Sequence, residues 1–183
     1  MTRWAHTVGS EEQLALRFEA PAAPSLHKEA SFVHPVYRAL IEASPFFALA
    51  TSGPGGLDVS PRGDAPGFVV VEDEKTLLLP ERRGNNRIDS LRNIVADPRV
   101  ALLFLIPGRG ETLRVNGRAT IVLAPELLER FAVDGKRPKC VLAVELDSIF
   151  SSVRALSCAR ACGTGPARSS RASYPLRARC SPH

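Results

Sequence analysis

Between residues 46 and 123 the chain changes character roughly every 8–15 residues, short apolar or alternating runs being broken by clusters of Gly, Pro, Asn and Asp, and few folds accept that spacing. Phe46-Phe-Ala-Leu-Ala-Thr51 predicts a buried strand, Ser52-Gly-Pro-Gly-Gly56 a hairpin turn, and Leu57-Asp-Val-Ser60 an alternating return strand. Gly67-Phe-Val-Val-Val-Glu72 and Thr76-Leu-Leu-Leu-Pro80 flank Asp73-Glu-Lys75 as a second hairpin. Residues 99–106 predict a central buried strand, Pro107-Gly-Arg-Gly110 a tight turn, and residues 111–123 a long strand that Asn116-Gly117 bulges or bends. Cys140-Val-Leu-Ala-Val-Glu-Leu146 is a last alternating strand.

Only short helices interrupt this pattern. Pro35 opens one, with Val36, Leu40 and Ile41 on one face. Residues 86–97 form another, with Ile88, Leu91, Ile94 and Val95 together, Asn85 or Asn86 as its cap and Asp97-Pro98 as its end. Residues 124–131 give a third, and a weak helical signal lies around residues 11–18. About seven strands with short helices predict a mainly β fold, an antiparallel barrel or sandwich, and disfavour a βαβ architecture.

A chain of 183 residues, 44% apolar and 23% charged, buries one core. Three regions follow: an arm over residues 1–34, with surface His6, His27 and His34; a globular domain over 35–150; and a tail over 151–183. The net charge of +5 invites a search for an acidic partner, but the tail holds six Arg with no Asp or Glu, which leaves residues 1–150 at −1. Neither nucleic acid nor membrane is therefore expected as a partner. The first 16 residues lack an apolar leader core and the longest apolar run, residues 100–106, is far too short to span a bilayer, so a cytoplasmic location is expected. Cys158, Cys162 and Cys180 lie in the tail and only Cys140 in the body, which argues against a disulfide framework and offers no zinc spacing.

Two segments hold more oriented polar groups than folding requires: Val59-Ser-Pro-Arg-Gly-Asp-Ala-Pro-Gly67, and Pro80-Glu-Arg-Arg-Gly-Asn-Asn-Arg-Ile-Asp-Ser90 at a strand-to-helix junction. Guanidiniums and a hydroxyl beside a helix N-terminus suit a phosphate, although three arginines in a loop can equally be a solvated surface. No hydrolytic triad is visible, and Gly53-Pro-Gly-Gly56 is not a dinucleotide fingerprint because no helix follows it.

Together with Asp97-Pro-Arg-Val-Ala-Leu-Leu-Phe-Leu-Ile-Pro-Gly108 and Leu113-Arg-Val-Asn-Gly-Arg-Ala-Thr-Ile121, these segments resemble, in order and spacing, a bacterial branch of the pyridoxamine 5'-phosphate oxidase-like FMN-binding family over residues 30–150. The resemblance implies an antiparallel split β-barrel of six strands and a homodimer with FMN at the subunit interface. It further implies that Ser60, Arg62, Gly63 and Asp64 line the flavin ring or ribityl chain, and that the Arg82–Ser90 junction, with Arg82, Arg83, Asn85, Asn86, Arg87 and Ser90, holds the phosphate. The implied function is an FMN-dependent oxidoreductase with hydride transfer at flavin N5, and NAD(P)H or a small molecule as the other substrate. The alternative is a non-catalytic flavin- or haem-binding sensor or carrier on the same barrel.

Two readings stay open for residues 151–183. One is a disordered basic tail. The other is a single-nucleotide frameshift near codon 151: one T restored after the Phe150 codon makes a plausible coding read Phe-Gln-Arg-Ala-Arg-Ala-Leu-Val-Arg-Ala-Arg-Leu-Trp-Asp, an amphipathic segment resembling the closing helix of this family branch.

Overall fold

A computed structural model describes residues 4–20, 28–82, 84 and 86–153. In chain order the elements are α1 (Glu11–Ala15), β1 (Glu29–Ala30), α2 (Pro35–Ala43), β2 (Phe46–Gly53), β3 (Gly56–Gly63), β4 (Val70–Val71), β5 (Thr76–Glu81), α3 (Asp89–Ala96), β6 (Arg99–Leu105), β7 (Glu111–Val122), α4 (Pro125–Arg130) and β8 (Cys140–Val153). The strands form one antiparallel sheet in the order β3-β2-β6-β7-β8-β5-β4, with β1 paired to the far end of β8. The sheet curls without closing. Although four strands separate β3 from β5 along the ladder, side chains of the two meet across an open seam, and the result is a split barrel.

Alternation on β2, β6 and β7 turns Phe47, Leu49, Val100, Leu102, Phe104, Leu113 and Val115 into one core, closed by Leu77, Leu79, Leu142 and Val144 from β5 and β8. Phe47 stacks on Phe68 with ring centroids 5.7 Å apart and tilts against Phe104 at 5.2 Å. Strand β5 is apolar on both faces because α4 covers its outer side, where Leu78, Phe131 and Val141 make a second cluster with Leu127 and Leu128. The long strands β7 and β8 bend at Asn116/Gly117, where the register shifts as the sequence predicts. A Cβ on Gly117 would run into the carbonyl oxygen of Glu145, so only glycine permits this close crossing.

Several expected boundaries move. Strand β3 runs on through Ser60-Pro-Arg-Gly63, which the turn-like composition had hidden; Pro61 is tolerated because β3 is an edge. The strand expected over residues 67–72 shrinks to β4, since Phe68 donates its N–H to Ala65 O in a turn and packs inward. Strand β8 continues past Leu146, pairing Ser151, Ser152 and Val153 with Leu113, Thr112 and Glu111. The rest of the expected tail, from residue 154, lies outside the described residues. At the other end, β1 and buried Val33, whose N–H bonds Glu74 O, tie the end of the expected arm to the barrel.

In α2 the buried face is Tyr37, Leu40 and Ile41, and Val36 is exposed in the first turn, where His34 Nδ1 accepts the Val36 N–H at 3.3 Å. In α3 only Leu91 and Ile94 of the expected face pack on the core, while Ile88 and Val95 are exposed. Asn86 does not cap it. Asn86 takes a left-handed φ of 60° that turns the chain before the helix can begin, and the cap position falls to Ile88, whose side chain cannot bond. Asn85 lies outside the described residues.

The opposite face of β2 and β6 carries Phe46, Ala48, Ala50, Ala101, Leu103 and Leu105, and continues onto β3 with Val59, 65% exposed, and Leu57, 88% exposed. Among the described residues no helix is long and apolar enough to cross a membrane.

Candidate functional site

Period-two geometry on β3 sends Leu57, Val59 and Pro61 outward and sets Asp58, Ser60 and Arg62 on the inward face beside Thr51, Leu49 and Phe47 of β2. An edge strand has no neighbour beyond it, so these three polar side chains stand where the core opens at the seam. Across the seam come Glu81 and Arg82 at the end of β5, and over it lies the start of α3. Together they line a cavity of about 710 Å³ floored by Phe47, Leu49, Phe68, Leu79 and Leu142.

Ion pairs, rather than ladder hydrogen bonds, bridge the seam. Arg62 Nη1 pairs with Glu81, both largely buried, and Arg82 Nε donates to Asp64 Oδ2 at 2.5 Å while its Nη1 reaches Phe131 O at 2.9 Å. Behind them runs a second network. Arg62 Nε donates to Ser60 Oγ at 3.2 Å, Ser60 Oγ lies 3.0 Å from Ser90 Oγ, and Ser90 Oγ donates to Asp58 Oδ2 at 2.9 Å. Ser90 is 4% exposed, and its helix is pinned to β2 by Asn93 Nδ2 donating to Thr51 Oγ1 at 3.1 Å. At the outer lip Arg87 Nε donates to Asp89 Oδ2 at 2.6 Å, and Lys139 Nζ contacts Asn86 Oδ1.

Of the expected site residues, Ser60, Arg62, Gly63, Asp64, Arg82, Asn86, Arg87 and Ser90 all line this one groove; Arg83 and Asn85 lie outside the described residues. Four charged lining residues, Asp58, Glu81, Asp89 and Lys139, are not among the expected site residues. Asp58 carried a signal, since it sits two and four residues before Ser60 and Arg62, the spacing of one strand face. Glu81 is visible only as an acid among arginines. Lys139 has no local signal, because the pairing of Glu81 with Cys140 is what brings it to the lip.

The electrostatics are balanced: four acids (Asp58, Asp64, Glu81, Asp89) and four bases (Arg62, Arg82, Arg87, Lys139) stand among the described lining residues. The Ala65 N–H first, and Arg82 after it, hold the Asp64 carboxyl below the usual carboxylate range. Asp89 raises the already high pKa of Arg87. Burial, with the charge of Glu81, pushes the Cys140 thiol up, which keeps it protonated and without nucleophilic force. The carboxylates are each held by a guanidinium or a hydroxyl.

HupZ of Group A Streptococcus superposes with a TM-score of 0.52 at 22% identity, over 65% of this chain and 93% of that one. A variant of the same protein gives 0.54 at 19% identity, over 66% and 99%. Such identities speak for the fold alone. Comparison with curated proteins returns no match. The family model for Pyridoxamine 5'-phosphate oxidase matches residues 33–152, a span that takes in α2, the strands β2 to β7, β8 as far as Ser152 and every described residue lining the groove. By that match, over more than half of its length, the chain belongs to the pyridoxamine 5'-phosphate oxidase family.

Proposed function

We propose that the chain is an FMN-binding flavoprotein acting as an FMN-dependent oxidoreductase. The observation that carries this reading is the composition of the seam groove, where the aromatic and aliphatic floor of Phe47, Phe68, Leu79 and Leu142 adjoins a lip bearing Arg82, Arg87 and Lys139. The donor set fits the group: guanidiniums and an ammonium take a phosphate, and an apolar floor takes a planar ring. Bound there, FMN would supply hydride chemistry at its N5, with NAD(P)H or a small molecule as the second substrate. The chain's own part is to bind and orient, which agrees with carboxylates engaged in ion pairs and hydrogen bonds rather than poised for proton transfer.

A homodimer belongs to the same reading. The groove is open along the β3 edge, and the apolar outer face of β2, β3 and β6 offers a second copy a surface to cover. Engaged carboxylates equally favour a non-catalytic flavin carrier. A haem carrier is less suited, since no His, Cys, Met or Tyr is among the described lining residues.

The test is purification without added cofactor, followed by release and identification of any bound flavin. Absorbance at about 450 nm supports the flavin reading, and its absence even after FMN is added sinks it. Bleaching by NADPH or NADH selects the oxidoreductase over the carrier.

A further inference from the structure

The N-terminal arm carries a helix start in its own sequence and yet buries nothing. Ser10 Oγ accepts the Gln13 N–H at 3.3 Å and Gln13 Oε1 accepts the Gly9 N–H at 2.9 Å, a reciprocal cap that opens α1. Beyond Ala15 the turns continue, with the Leu16 N–H donating to Glu12 O at 3.2 Å and the Phe18 N–H to Leu14 O at 3.0 Å, so Leu14 and Phe18 share one side. A stretch this short falls below the roughly 12–15 residues that an isolated helix needs in water, and depends on cover for its apolar side. Every residue from 4 to 20 is nevertheless exposed, Leu16 at 86% and Phe18 at 70%.

The barrel holds a bare surface of matching character. On the outer face of the sheet Ala48, Ala50 and Ala101 make a shallow floor, bordered by Phe46, Leu103 and Leu105. Beside it stand Arg99, Arg114 and Arg118, and strand alternation sets no acid on the outer face of β3, β2, β6 or β7. Residues 10–20 hold three acids, Glu11, Glu12 and Glu19, against one base, Arg17, and so carry a net charge of −2. Arm and face therefore match both in apolar character and in sign of charge.

Chain direction decides which copy the arm covers. Because β1 pairs Glu29 with Phe150 and Ala30 with Ile149, the strand followed towards its N-terminus runs alongside Ser151 and off that end of the sheet, away from the centre of its own outer face. A second copy related by a two-fold axis offers the same face to the arm and receives an arm in return. We infer that residues 10–18 of each subunit lie on the outer face of β2 and β6 of the other, seating Leu14, Leu16 and Phe18 over the alanine floor and setting Glu11 and Glu12 against Arg114 and Arg118. The inference rests on the homodimer of the flavin reading and adds what clasps it, an exchanged arm.

The test uses the full-length protein. With benzoylphenylalanine in place of Phe18 and a large excess of heavy-isotope-labelled unaltered protein, photolysis is expected to join the arm to a heavy peptide from β2 or β6. Light peptide alone, the result of an arm folded on its own barrel, overturns the inference, as does attachment elsewhere. In sedimentation velocity, Leu16→Asp with Phe18→Asp is expected to raise the dimer dissociation constant by about tenfold or more at unchanged circular dichroism, since both side chains are exposed. Glu11→Lys with Glu12→Lys, and Arg114→Glu with Arg118→Glu, should each raise it by about threefold or more, and all four together should recover most of the loss, which a merely structural role of the arginines would not allow. An unchanged dissociation constant in the Asp variant, or no recovery in the combined one, overturns the inference and leaves the homodimer standing. An unaltered protein that is monomeric at micromolar concentration removes both, while bound flavin is read separately. Retention of the unaltered protein, but not of the Asp variant, on phosphatidylserine vesicles with no change in dimer affinity would overturn it in favour of a lipid surface.

Discussion

Gly117 and Gly55 show how differently one residue type can be constrained in this protein. A Cβ at Gly117 meets backbone, the carbonyl of Glu145, which cannot swing aside as a side chain would; one at Gly55 meets nothing within 4 Å. Gly117→Ala is therefore expected to destabilise by about 2 kcal/mol and Gly55→Ala by less than about 0.5 kcal/mol, read from urea midpoints at constant m. Asn116-Gly117 was legible as a bend because those residue types favour one, but the reason for glycine is contact with a strand about thirty residues on, which no local pattern carries. Lys139 failed to show for the same kind of reason.

Helix α3 and the edge strand β3 are the elements that make the groove, and each is held by charge. At the α3 end, the Arg99 side chain and N–H bind Asp97 and lower its pKa from 3.8 to about 2. The folded state thus binds fewer protons than the unfolded state between those values. The contribution is present above 3.8 and is lost as pH falls through about 2. Asp97→Asn should flatten the stability profile in that window and leave its slope at neutral pH unchanged, as urea midpoints across pH would show. At the seam, Arg62 and Glu81 are 21% and 20% exposed, sheltered enough for their coupling to exceed that of a surface pair. A double-mutant cycle with Arg62→Ala and Glu81→Ala is expected to give about 1–2 kcal/mol of coupling energy, persisting in moderate salt. Most strands were readable from alternation and turn residues. The extension of β3 was not, because Ser60-Pro-Arg62 has the composition of a loop and becomes a strand through its pairing with Ala48 and Phe47.

At the scale of the whole molecule, the described residues form a curled sheet that is packed well inside and exposes apolar side chains such as Leu57, Val59 and Leu103 on its outer face. If a second copy covers the outer face, Leu103→Lys should convert a dimer to a monomer in sedimentation velocity at micromolar concentration while keeping its circular dichroism, because Leu103 is exposed and outside the core. A dimer that survives this substitution and Val59→Lys would place the contact elsewhere. The distribution of charge matters at this scale as well. The described barrel belongs to a body of net −1, so the basic character of the chain says nothing about what the groove binds.

Sequence alone determined the mainly β architecture, its hairpins and the bend in β7, since side-chain period and turn chemistry are local properties. It also marked two polar segments as functional candidates and supplied a family resemblance that the family match bears out. Only the tertiary structure decided that the described residues of the two segments line one groove. Curling of the sheet brings β3 against β5, and the ion pairs across that seam, the relay from Arg62 to Asp58 and the arrival of Lys139 all depend on contacts between residues distant in the chain.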